Sequence, residues 1–231
     1  MIQLTIVLFL LFVICSVVLL STIFTNKKLN KTFYTVDETY PWLNELTSVH
    51  TFKSILNDLD NVKRIGWQEW PEYNLWKNDT NSKIQWTVFP IKAFGKWSSK
   101  NTKLCPNIYN MLKSQGDNIV NVGFSRLSHG TVLRQHQGWA NLSNYVLRCH
   151  LGLIFAGPAH IYCENDKQQQ SVGKWIVFDD AKNHYADNLG NADRIVLIID
   201  VRRPKHVETG LSTIGDSDEL LGFIQSFQNE Q

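Results

Sequence analysis

Four residues in the C-terminal half have side chains suited to one chemistry: His136, His184, Arg148 and Arg194. Two neutral imidazoles can ligate a divalent iron, and two guanidiniums can hold a small dicarboxylate beside it. The chain has seven histidines, so position is what sets these two apart. His136 follows a strand-like run and opens the loop Gln135-His136-Gln137-Gly138, and His184 follows the acidic turn Phe178-Asp179-Asp180. At such loop edges a rigid sheet can aim a side chain into a cavity. A histidine in a β-rich domain otherwise serves as a hydrogen-bonded core or surface residue. In Tyr145 to Ile154, alternation puts Val146, Arg148, His150 and Gly152 on one face, while Arg194 begins the apolar run that ends at Val201. A buried arginine is costly unless it meets an anion, and a planar guanidinium suits a carboxylate bidentately. That anion is either a ligand or a strand-end carboxylate such as Asp179 or Asp200.

These residues must be positioned by strands. From Val120 onward short apolar runs recur with turns between them: Val120 to Leu127, Thr131 to Gln135, Tyr145 to Phe155, His160 to Cys163, Trp175 to Phe178, His184 to Ala186 and Arg194 to Val201. That spacing predicts an all-β sandwich or barrel. Before it, Phe52, Ile55, Leu56 and Leu59 predict a helix over Leu46 to Val62, Gln85 to Ala93 alternates as a strand, and Cys105 to Ser114 reads as a helix opened by Pro106. Asp216 to Phe227 reads as a short amphipathic helix, and Asn30 to Glu45, polar and without a period, as a linker. The aromatic loop with Trp67, Trp70, Pro71, Tyr73 and Trp76 either packs on the core or walls a substrate cleft.

With 231 residues, 43% of them hydrophobic, the chain can build one domain of ordinary size plus an appendage. No side chain from Met1 to Asn26 is charged, and Ile2 to Phe24 is almost wholly apolar. About 20 such residues span a bilayer as a helix, and a cleaved signal would carry a basic start and a shorter apolar run. The expected organisation is a membrane anchor over 1–26, a juxtamembrane linker over 27–45 and a catalytic domain over 46–231 with its β core at about 120–204. Lys27, Lys28 and Lys31 after the span favour a cytoplasmic domain, whereas the sequons at Asn30, Asn78 and Asn141 would matter in a lumenal one. Cys105, Cys149 and Cys163 lack metal-type spacing and read as reduced, buried thiols. A net charge of +2 without a long basic run argues against nucleic acid as a partner.

The stretch from Gly123 to Pro204 resembles the aspartyl/asparaginyl β-hydroxylase family of iron and 2-oxoglutarate dioxygenases. The resemblance is carried by Ser125 ahead of Gly130-Thr131, His136-Gln137-Gly138, Leu147 to Leu153, Gly173 to Asp180, His184, and Arg194 through Asp200 to Pro204. A weaker match runs back through Trp86, Phe89 and Gly95 to Cys105-Pro106. The resemblance implies a double-stranded β-helix, or jelly roll, with flanking helices, and Fe(II) on His136 and His184. It also implies 2-oxoglutarate held by Arg194 and Ser125 at its distal carboxylate and by Arg148 and His150 at the end near the metal. Oxygen would be the second cosubstrate, succinate a product, and a substrate C–H the site of hydroxylation. The usual iron site has a carboxylate two residues after the first histidine, where this chain has Gly138. Glycine there is similar to the animal enzymes, which use two histidines and water, while the family's lipid A hydroxylases generally keep an acid. Asp179 or Asp180 would then orient His184 or a water. The loop Trp139 to Asn144 is longer than expected in the family.

The leading expectation is therefore β-hydroxylation of Asp or Asn side chains in a protein or peptide. The alternative is hydroxylation of a lipid acyl chain at the membrane, and a third reading is a jelly roll that binds without turnover.

Overall fold

The computed structural model describes residues 28–64, 66–78 and 83–229. The expected anchor over 1–26 lies outside these residues. Among the described residues no helix is long and apolar enough to cross a membrane. The chain divides into two compact units, residues 1–30 with 204–208 and residues 31–203 with 209–231. In the first, Leu29 forms a parallel bridge with Val207.

Eleven strands are described: β1 Phe33–Tyr34, β2 Gln68–Glu69, β3 Trp86–Ala93, β4 Lys96–Trp97, β5 Ile119–Leu127, β6 Val146–Ile154, β7 Ala159–Cys163, β8 Asp166–Gln169, β9 Trp175–Phe178, β10 His184–Asn188 and β11 Arg194–Arg202. The larger sheet has the order β1-β9-β6-β11-β5-β3-β2, with β4 paired to β3, and the smaller has the order β10-β7-β8. Every ladder is antiparallel. Two antiparallel sheets with non-sequential strand order make the expected jelly roll. Trp86, Val88 and Leu127 of the larger sheet share a core with Ile161 and Ala186 of the smaller. The central strands β6 and β11 are buried over most of their length and β5 over about half, with Leu127, Leu147, Leu151 and Leu197 at 0% exposure. Each such side chain contributes roughly 1.5–3 kcal/mol of burial.

Helices flank the sheet. Ser48 caps the helix Val49–Lys63 by accepting from the Thr51 N–H, so the helix starts three residues later than its apolar period suggests. Its buried Asp58 accepts from the Ile108 N–H and the Asn107 amide, both at 2.7 Å, at the N-terminus of the helix Pro106–Leu112.

Two expectations change. The linker over 27–45 does not stay outside the fold. Phe33–Tyr34 pairs with β9, Val36–Thr39 is a helical turn with a Thr35/Glu38 capping box, and Leu43 is fully buried in the 3-10 segment Pro41–Thr47. Its anchors are single apolar residues in a polar run, so no period betrays them. Thr131 to Gln135 forms no regular strand; Val132 and His136 make isolated bridges to Asp187 and His184. Cys105, Cys149 and Cys163 are free and buried as expected.

Candidate active site

His136 and His184 face each other across an antiparallel bridge, exchanging N–H···O bonds of 3.0 and 2.8 Å, with ring centroids 4.4 Å apart. Each Nδ1 lies 2.8–2.9 Å from a backbone carbonyl two residues earlier, Arg134 O for His136 and Lys182 O for His184. A carbonyl can only accept, so both rings carry their proton on Nδ1 and keep a lone pair on Nε2. Burial lowers the pKa of both, most strongly for His184, where the neighbouring His136 adds to it. Both rings are thus neutral and oriented as metal ligands require.

Asp180 completes this corner. Its Oδ1, 1% exposed, sits 3.3 Å from His184 Nε2 and 2.6 Å from Arg148 Nη1. The Nε2 lone pair of His184 and this carboxyl group face one corner, where a cation is favoured. This polarity fits a divalent metal. Among the described residues no group of three or more His, Cys, Asp or Glu side chains is arranged to hold a metal, so the protein offers two imidazole ligands with a carboxylate beside them. The same residue explains Gly138: a Cβ there would lie 2.1 Å from Asp180 Oδ2 and 2.8 Å from Ser143 Cβ. The space where a carboxylate on residue 138 would begin is already filled by Asp180. Burial raises the Asp180 carboxyl, while Arg148 pulls it down.

The two arginines differ. Arg148 donates from Nε and Nη2 to both oxygens of Asp200, at 2.8 and 2.9 Å, and its Nη1 lies 2.6 Å from Asp180 Oδ1. Register sets the first contact, since Arg148 on β6 stands opposite Asp200 on β11. Burial opposes charge on Arg148, yet Asp180 and Asp200 hold its pKa above the ordinary value. The strand carboxylate weighed from the sequence is thus its actual partner. Asp179 is used elsewhere, paired with Arg203.

Arg194 is 2% exposed and has no carboxylate partner among the described residues. Its Nε donates to Gln170 Oε1 at 2.7 Å and its Nη2 approaches His150 Nδ1 at 3.3 Å. Burial pulls the guanidinium down to about 9, partly offset by Asp187. A buried guanidinium held only by neutral acceptors is a site for an incoming carboxylate. Ser125, His136, Arg148, His150, His184 and Arg194 line one small cavity together with Trp86 and Phe178. His150 Nε2 is buried there without a partner, and Ser125 Oγ accepts from Trp86 Nε1 at 3.1 Å. The six sequence-predicted residues therefore meet in one place, and the unpartnered donors fit a dicarboxylate such as 2-oxoglutarate.

A second, outer cavity meets the first at Trp86, His136, Arg148 and Ile198. One side of it is aromatic: Trp70 stacks on Trp86 at 4.8 Å and on Trp139 at 5.6 Å, with Phe94 and Phe223 also in its wall. Glu72 ties three segments of this wall, accepting from the indoles of Trp70 and Trp139 and from Ser217. Of the aromatic loop, Trp70 walls this cavity while Trp76 is buried in the core, so each of its two readings describes part of it. Trp139 comes from the long loop, whose residues Ala140–Ser143 form a helical turn. Gln170 and Glu72 carry no sequence signal, since they act through partners remote in the chain such as Arg194 and Trp139.

The profile of the aspartyl/asparaginyl beta-hydroxylase family matches residues 50–204. The mouse aspartate beta-hydroxylase domain-containing protein 2 is 31% identical over 137 residues, 56% of this chain and 39% of that protein. The ornithine lipid ester-linked acyl 2-hydroxylase of Rhizobium tropici is 30% identical over 172 residues, 72% of this chain and 59% of that protein. This chain therefore spans less than two thirds of the length of these relatives. Among solved structures, an oxidoreductase of the 2OG-Fe(II) oxygenase family from Burkholderia pseudomallei aligns with 14% identity and a TM-score of 0.48 over 70% of this chain and 83% of its own. With more than half of the sequence inside the profile, the chain belongs to the aspartyl/asparaginyl β-hydroxylase family.

Proposed function

We propose that the protein is an Fe(II)- and 2-oxoglutarate-dependent hydroxylase acting on a C–H bond of an aliphatic acyl chain. Iron on His136 and His184 would supply oxygen activation, driven by decarboxylation of 2-oxoglutarate to succinate. Arg194 and Ser125 hold the distal carboxylate of the cosubstrate, and His150 offers a donor to its other end. Arg148 stands at the junction of the two cavities. Bound to Asp180 and Asp200, it opposes the effect of burial on the Asp180 carboxyl beside the imidazoles. Asp180 places a carboxyl group beside the imidazoles where Gly138 cannot. The buried surroundings exclude water, as control of a reactive cofactor requires.

The observation that carries the substrate reading is the outer cavity, where Trp70, Trp86, Val88, Trp139 and Phe223 offer apolar surface on the way to His136. An acyl chain gains from such walls, whereas a carboxylate side chain needs donors of its own. A relative named as an acyl hydroxylase points the same way. This reverses the order of substrates expected from sequence. Hydroxylation of Asp or Asn remains the second reading, supported by Gly138 and by Asn121, Gln137 and Lys92 in the cavity wall. In the acyl reading the apolar segment from Ile2 to Phe24 holds the domain at the bilayer that supplies its substrate.

The test is incubation of the full chain with Fe(II), ascorbate, 2-oxoglutarate and either extracted membrane lipids or a peptide library. Succinate release with gain of one oxygen on a lipid acyl chain is the expected result. Oxygen gained on peptides alone overturns the acyl assignment, and no succinate or 2-oxoglutarate binding overturns the enzyme.

A further inference from the structure

Gln170 lies just after β8, is 4% exposed and is held by its backbone N–H, which donates to Ala159 O at 2.8 Å. Its amide faces two groups. Oε1 accepts from Arg194 Nε at 2.7 Å, and Nε2 stands 3.4 Å from His150 Nδ1. The amide orientation follows from chemistry, because a guanidinium nitrogen can only donate and must meet the oxygen. The amide NH2 is then left for His150. That same Nδ1 faces Arg194 Nη2 at 3.3 Å. Both of its neighbours are donors, so Nδ1 must accept, and the proton of the neutral ring resides on Nε2. Burial and the charges of Arg194 and Arg148 keep the ring neutral. This is opposite to His136 and His184, whose Nδ1 atoms carry the proton. Phe178 meets the His150 ring edge-on at 5.2 Å and 89°, which fixes its plane. The Nε2–H so defined has no partner among the described residues and borders the cavity that contains Ser125 and Arg194.

We propose that Gln170 is a positioning residue of the cosubstrate site: one neutral amide orients the Arg194 guanidinium and sets His150 as the Nε2–H tautomer, so both present donors to a dicarboxylate. The ligand half of this statement rests on the 2-oxoglutarate reading above; the tautomer half does not. Neutrality matters as much as geometry. A glutamate at this position would satisfy Arg194 with a permanent carboxylate and compete with the ligand. It would also set an acceptor in place of the amide donor opposite His150 Nδ1, in competition with Arg194 Nη2, shifting the ring toward the other tautomer.

The experiment compares the full chain with Gln170→Glu and Gln170→Leu. Heteronuclear NMR of the imidazole nitrogens, without metal or ligand, reads the His150 tautomer, assigned by its loss in His150→Gln. Calorimetry with 2-oxoglutarate in the presence of Mn(II) reads binding, and Mn(II) alone reads the metal site. The expected result is the Nε2–H tautomer in the parent and the Nδ1–H tautomer in Gln170→Glu. For 2-oxoglutarate, Gln170→Leu weakens binding about 10-fold and Gln170→Glu about 100-fold, with Mn(II) affinity held within about twofold, as loss of one and then two charge-assisted contacts implies. A parent Nδ1–H tautomer overturns the proposal without any variant having to fold. So does a Gln170→Glu protein that binds 2-oxoglutarate as the parent does. If the parent shows the Nε2–H tautomer but binds no 2-oxoglutarate, the cosubstrate reading fails and the ligand half of the proposal falls with it.

Discussion

Arg148 and Arg194 lie on neighbouring strands of one sheet, yet the structure treats their charges in opposite ways. Arg148 is closed off by Asp200 and Asp180. Arg194 is surrounded by a glutamine, a histidine and cavity. A guanidinium already neutralised contributes to the architecture, while one left with neutral partners is stabilised further by a carboxylate that arrives from outside. The same contrast separates the cavities around them: unpaired donors line the inner one, and aromatic rings line much of the outer one. Charge selection of a cosubstrate and apolar selection of a substrate are thus divided along one path that passes His136.

The largest effect expected is from His136→Ala or His184→Ala. Each removes one of only two imidazole ligands, and iron retention and succinate formation should both fall below detection, read by metal analysis of the purified protein and by product assay. Next come the arginines, whose difference is the comparison itself. Arg194→Ala should raise the 2-oxoglutarate requirement about 100-fold while leaving iron binding and folding largely intact. Arg148→Ala should instead lower stability by about 3–5 kcal/mol in chemical denaturation, because it strands two buried carboxylates. Equal losses of stability in the two variants would erase the distinction. Gly138→Asp, meant to restore a third ligand, should fail alone because its Cβ meets Asp180 Oδ2. Paired with Asp180→Ala it should regain iron affinity, measured by competition with a chelator; rescue by the single change would show that Asp180 does not hold that space.

A smaller effect is expected in the outer cavity. Trp139→Ala should raise the KM for an acyl substrate about 10-fold or more with little change in the 2-oxoglutarate requirement, since it removes aromatic surface far from Arg194. An unchanged KM would remove Trp139 from the substrate path. The mildest test is pH. His136, His150 and His184 all have pKa values lowered by burial, so in the metal-free protein the unfolded chain takes up protons below about 6.5 that the folded chain refuses. Stability is therefore full above that pH and should decline as pH falls through it, by up to about 1.4 kcal/mol per pH unit for each histidine. Asp58 and Asp180, raised by burial, gain protons earlier in the folded state and soften the decline at lower pH. Denaturant midpoints that stay level between pH 7 and 5.5 would contradict this sign.

Much of the fold was legible because it is written in periods. Core strands such as β5, β6 and β11 are long apolar runs, and the helix Val49–Lys63 carries its buried residues Ile55, Leu59 and Val62 at helical spacing. β8 left no such trace, since Asp166–Gln169 is exposed throughout and held by its ladder with β7. Phe33 and Leu43 were equally silent, being lone apolar residues whose burial depends on what packs against them.

The sequence by itself determined the residue types at the site and most of the strands that carry them: Ser125, His150, His184 and Arg194 lie on runs read as strands, while His136 sits on an isolated bridge. Only the tertiary structure decided which charges are spent and which are free. Asp200 meets Arg148 through strand register, Asp180 fills the space beside Gly138 from a turn remote in the chain, and Gln170 reaches Arg194 and His150 from the end of a polar strand. Periodicity is a local property of the chain, but the pairing of a buried charge depends on distance in space, and that distance exists only after folding.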